Sequence, residues 1–181
     1  QHDREVALAV VTAHRQGLKY VSKEFRSDRD IVMAAVRRHG ACLQYCAPAL
    51  QHDREVVKQA VAQDPCALNY AAEEYRHDRD VAMAAVTGHG MGLKQLGEEF
   101  LNDRDVVMAA VSNRGACLQL CTEALQRDRE VVMLAVTQDP SALKYAAEAC
   151  RHDREVALAA VRESGVGLLY LSKEFQADRD V

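Results

Sequence analysis

The chain has 181 residues, 49% hydrophobic but only 5% aromatic and without Trp, so its core must be built from aliphatic side chains and Ala. Its 23 Lys and Arg stand against 27 Asp and Glu, for a formal net charge of -4, which argues against the basic excess a nucleic-acid binder carries. No apolar run approaches the ~18 residues a membrane-spanning helix requires.

Self-similarity dominates the sequence. The tripeptide Asp-Arg-(Asp/Glu) begins at Asp3, Asp28, Asp53, Asp78, Asp103, Asp128, Asp153 and Asp178, always 25 residues apart. This defines copies 3–27, 28–52, 53–77, 78–102, 103–127, 128–152 and 153–177, with a partial eighth at 178–181. A longer period of 75 residues lies above the first. Copies two and five share GACLQ (from Gly40 and Gly115), copies three and six share Gln-Asp-Pro (from Gln63 and Gln138), and copies one and seven share SKEF (from Ser22 and Ser172). Residues 1–181 therefore read as a single repeat array. With both ends inside a repeat and no leader before Gln1, it is expected to be a piece of a longer one.

Within each copy the elements follow in order, numbering from the Asp as position 1. That Asp is expected to cap a first helix, and the acid at position 3 suits the positive end of its dipole. Val or Ile at position 4, the residue at position 5, Ala or Val at position 8 and Val at position 9 form one apolar face. At position 13, Gly40, Gly90, Gly115 and Gly165 are expected to cap the helix C-terminus, whereas Pro65 and Pro140 suit the first turn of a helix capped by Asp64 and Asp139. A second helix then carries Leu at position 16 (Leu18 to Leu168) and an apolar stripe through positions 19, 20 and 23. Helices of about 10 residues fall below the ~12–15 needed for stability alone. Neighbours must hold them, so the expected fold is all-α, an α-solenoid of stacked two-helix repeats. At ~8–10 Å between packed helices, seven copies would span roughly 60–70 Å.

The strings DREVVMLAV (Asp128 to Val136), ALKYAAEA (Ala142 to Ala149) and DREVALAAV (Asp153 to Val161) resemble the repeats of domain of unknown function 4116. The resemblance covers essentially the whole chain. It implies an all-helical unit of two hairpins and no catalytic residues. Copy three departs from it with Lys58-Gln59 where copies two, four and five have Met-Ala.

Several residue sets invite a chemical reading. Cys42 and Cys46, echoed by Cys117 and Cys121, have metal-like spacing. Sibling copies place Gly, Ala, Val or Leu there, so the cysteines are expected to act as small core groups, without metal or cofactor. Cysteines that interchange with Ala also point to a reducing, intracellular compartment. The histidines before the Asp cap (His2, His52, His77, His152) and near the turn (His14, His39, His89) read as solvated. The Arg at position 2 of every copy could track phosphates, but it is flanked by two carboxylates and reads better as an ion-pair ladder.

Tyr20, Tyr45, Tyr70, Tyr145 and Tyr170 share position 18, with Gln95 and Leu120 completing the row. Position 18 points about 150° from the centre of the apolar stripe of a regular helix, which would expose the rings as an interaction surface. The alternative is that they wedge between successive copies.

Catalysis needs one unique site, whereas nearly every reactive residue here recurs every 25 or 75 positions. The expected function is a non-catalytic scaffold for protein–protein interaction or structural assembly, reading partners through positions 10 to 12, 17, 21 and 22. Two alternatives stand: a modular nucleic-acid-binding repeat, which Glu73, Glu74, Glu98 and Glu99 disfavour, or the non-catalytic array of a larger multidomain enzyme.

Overall fold

The computed structural model describes residues 2–163, 165–171 and 175; the expectations placed on Ser172 and on the partial copy from Asp178 lie outside them. Each of the seven complete copies opens with an α-helix, which in the first begins at His2, so that Asp3 lies in its first turn and is not the cap expected of it. At Asp78, one carboxylate oxygen accepts from the backbone N–H of Asp80 at 2.9 Å and of Val81 at 3.1 Å, and Asp28, Asp53, Asp103, Asp128 and Asp153 do the same. The caps satisfy donors that a helix start leaves open. The helices run His2–Ala13, Arg29–Arg38, Arg54–Gln63, Arg79–Gly88, Arg104–Asn113, Arg129–Gln138 and Arg154–Glu163. In copies two to six the position 4, 5, 8 and 9 side chains are buried and make the core, as with Ile31, Val32, Ala35 and Val36, whereas Val6 at position 4 of the first copy is 56% exposed.

The helix C-terminus is built differently from the expectation. Among the described residues no Gly has a positive φ, so position 13 is not a left-handed cap. The helix ends instead through an extended position 12, such as His39 at φ -146° and ψ 96°. Glycine serves close approach: a Cβ on Gly40 would lie 2.1 Å from the Ala60 carbonyl oxygen, and one on Gly115 would lie 2.2 Å from that of Ala135. Each of these glycines also donates its N–H to a glutamine of the following copy, Gly40 to Gln63 Oε1 and Gly115 to Gln138 Oε1. Both acceptors belong to Gln-Asp-Pro copies, which gives the 75-residue period a physical content.

The second arm is not one continuous helix. Positions 13 to 18 form a 3-10 helix (Gly40–Tyr45, Pro65–Tyr70, Gly90–Gln95, Gly115–Leu120, Pro140–Tyr145, Gly165–Tyr170), replaced in the first copy by the α-turn Gly17–Tyr20. Asp64 and Asp139 cap the two that begin with Pro, as expected. Positions 19 and 20 are extended, as at Cys46 and Ala47, and a short helical turn such as Pro48–Gln51 follows. The break frees the position 20 N–H to reach the preceding copy. Ala47 donates to the Arg26 carbonyl at 2.9 Å, Ala72 to Gln51 at 3.2 Å, Thr122 to Leu101 at 3.1 Å and Ala147 to Gln126 at 3.0 Å. A continuous α-helix would use those donors internally. Leu18, Leu43, Leu68, Leu93, Leu118 and Leu143 remain buried at position 16.

The chain divides into two compact units, Gln1–Leu96 and Gly97–Val181. In each, successive first helices pack on one another in chain order, and successive 3-10 helices do likewise. Each unit is thus an all-α repeat solenoid.

Candidate interaction surface

Five of the position 2 arginines form ion pairs from one copy to the next. Arg54 donates through Nε to Asp78 Oδ2 at 2.7 Å and through Nη2 to Asp78 Oδ1 at 2.8 Å and Asp80 Oδ2 at 2.6 Å. Arg4 joins Asp28 and Asp30, Arg29 joins Asp53, Arg104 joins Asp128 and Glu130, and Arg129 joins Asp153 and Glu155. The acceptor is the capping Asp of the following copy, so one carboxylate closes a helix and ties two copies. The Arg hydrogen bond and the cap's own backbone donors hold Asp53, Asp78, Asp128 and Asp153 below the usual carboxylate range against the opposing pull of desolvation. These guanidinium groups already face carboxylates, which removes them as a phosphate-tracking row.

Five cysteines, Cys42, Cys46, Cys117, Cys121 and Cys150, are buried as free thiols, and Cys66 alone is exposed. Cys42 donates to the Arg15 carbonyl at 3.1 Å and Cys46 to that of Leu43 at 3.1 Å. Burial pushes the Cys46 and Cys121 thiols up to about 12. Among the described residues no three His, Cys, Asp or Glu side chains are grouped to hold a metal ion. His14, His52, His77, His89 and His152 are exposed, while His39 is half-buried.

The position 18 tyrosines divide into two kinds. Tyr20 is 71% exposed and Tyr70 38%, whereas Tyr45, Tyr145 and Tyr170 are half-buried. Tyr45 packs against the core of its unit, and the Lys144 ammonium sits 4.8 Å from the Tyr145 ring centroid and 6.0 Å from that of Tyr170. Because the second arm breaks after position 18, each ring stands at the end of a short helical turn, α in the first copy and 3-10 in the others, so the angle reckoned for a regular helix does not apply.

The sequence reading missed Leu169, which is 72% exposed beside Tyr170. Its signal was present in the repeat. Position 17 carries Lys19, Gln44, Asn69, Lys94, Gln119 and Lys144 in the other copies, and Leu169 is its apolar exception.

No helix of the described residues is long and apolar enough to cross a membrane. The family model described as domain of unknown function (DUF4116) matches residues 3–51, 53–101, 78–126 and 103–151. No curated protein matches the chain, and no solved structure does.

Proposed function

We propose that this chain, which belongs to the DUF4116 family, is a non-catalytic helical-repeat scaffold that binds a protein partner along the position 18 edge. The observation that carries this reading is the exposure of Tyr20 and Tyr70 at equivalent places in the first and third copies, two positions on from the buried Leu18 and Leu68. Tyr offers apolar area with a polar tip at a low entropic cost, the composition of protein-binding surfaces. Two sets of groups that could instead serve chemistry or nucleic acid are largely engaged in the fold. Five ladder arginines face carboxylates, and five of the six cysteines are buried.

The test compares the native protein with a Tyr20→Ser, Tyr70→Ser double variant in mild purification, counting protein and nucleic acid together. A stoichiometric protein partner with the parent, lost with the variant, is the expected outcome. Nucleic acid in excess, or a partner retained by the variant, would overturn the reading.

A further inference from the structure

The repeat supplies its own control for a second feature of this edge. In copy three, Arg76 at position 24 is neutralised within its own turn. Its Nε donates to Glu73 Oε2 at 3.3 Å, its Nη2 to Asn69 Oδ1 at 3.0 Å and its Nη1 to the Gln95 carbonyl at 2.8 Å. In copy one the equivalent arginine is Arg26. Its Nε and Nη2 donate to the main-chain carbonyls of Val21 at 3.2 Å and Lys19 at 2.7 Å. The place of Glu73, position 21, is taken by Lys23. No carboxylate forms an ion pair with Arg26 among the described residues.

Lys23 and Arg26 border a depression of about 270 Å³ whose other wall is Tyr45, Cys46, Ala47 and Pro48. A half-buried cation without a counter-ion beside apolar surface is electrostatically incomplete, and its complement is an anion carried on an apolar body. The chain as a whole is negative, so diffuse attraction of anions does not account for such a ligand.

We propose that this depression docks an extended acidic peptide segment of the partner. A Glu or Asp carboxylate supplies to Arg26 and Lys23 the charge that Glu73 supplies to Arg76, and an apolar neighbour covers Tyr45, Ala47 and Pro48. The proposal rests on the scaffold reading and names the chemistry of its partner.

The test is fluorescence polarisation with labelled Glu-Leu-Glu-Leu-Glu and its Gln-Leu-Gln-Leu-Gln analogue at low salt. The acidic peptide is expected to bind about tenfold more tightly, and the difference to shrink as salt screens it. Lys23→Glu recreates the native Glu73–Arg76 arrangement, so it should fold normally by circular dichroism and reduce acidic-peptide binding to the level of the Gln analogue. Equal binding of the two peptides, unchanged binding by Lys23→Glu, or full displacement by equimolar inorganic phosphate would overturn the proposal. If the acidic peptide fails while the Tyr20, Tyr70 variant still loses its partner, the docking inference falls and the scaffold reading stands; if both fail, both fall.

Discussion

Asp78 accepts from two backbone N–H groups at the start of its helix and from two guanidinium nitrogens of Arg54 in the preceding copy. Two substitutions separate these roles. Asp78→Asn keeps a side-chain oxygen for the cap and removes the charge, whereas Asp78→Ala removes both. Loss of an Asp cap costs about 1 kcal/mol. The ion pair is half-exposed and screened by salt, so it contributes less than the cap. Asp78→Ala is therefore expected to cost about 1 kcal/mol more than Asp78→Asn, which corresponds to about fivefold faster exchange of the Ala82 amide, whose acceptor is the Asp78 backbone carbonyl in both variants. Native-state hydrogen exchange is the suitable assay, because stacked repeats open locally and a single global midpoint averages over them. Urea unfolding gives a second measure that does not screen the ladder as guanidinium does. If Asp78→Asn matches Asp78→Ala in both measurements, the cap contributes nothing and the dual role assigned to this carboxylate is refuted.

Three further outcomes follow from the same geometry. Asp53, Asp78, Asp128 and Asp153 have folded pKa values below the unfolded ~3.9. Their stabilisation is complete above that value and is lost as pH falls through the lower folded values, so urea midpoints should hold from pH 7 to 5 and drop below about pH 4; a ladder-dependent loss centred above pH 5 would contradict this. Gly40→Ala places a methyl 2.1 Å from a backbone oxygen and should destabilise by about 1–3 kcal/mol. Gly97→Ala meets only the flexible Glu99 carboxylate and should be tolerated in the same unfolding assay. Titration with an aromatic disulfide reagent at pH 8 should modify Cys66 first in the native protein and all six thiols only after denaturation; rapid reaction of Cys46 or Cys121 would show that the core opens.

Much of this architecture is legible in the repeat because a strict period exposes what each position tolerates. The Asp cap, the apolar face at positions 4, 5, 8 and 9 and the buried Leu at position 16 all follow from residue type and spacing. What escapes is whatever lies between copies. Nothing in Ala47 or Thr122 announces that its backbone N–H crosses to the preceding copy, since any non-proline residue could donate it. The same is true of Gly40, where a left-handed cap and close approach to Ala60 favour the same residue, and only the φ angle and the contact separate them. The tyrosine row was legible as a row but not as a surface. Its rings stand at the ends of short helical turns, where the face of a regular helix does not give their exposure.

Specificity in such a molecule must come from departures from its period. A strictly periodic edge offers the same contacts in every register, so a partner gains nothing by choosing one over another. The ladder is periodic and neutralised, and therefore suits stacking. The position 17, 18 and 21 rows are where copies differ. Gln95 and Leu120 interrupt the tyrosine row, Leu169 interrupts a polar row, and Lys23 replaces the carboxylate that quiets Arg76. These departures all fall in second arms, while the first helices keep their caps and apolar faces with few changes. Conserving one arm for stacking leaves the other free to carry distinct charge and shape from copy to copy, and it is on that arm that a partner would find a unique place to bind.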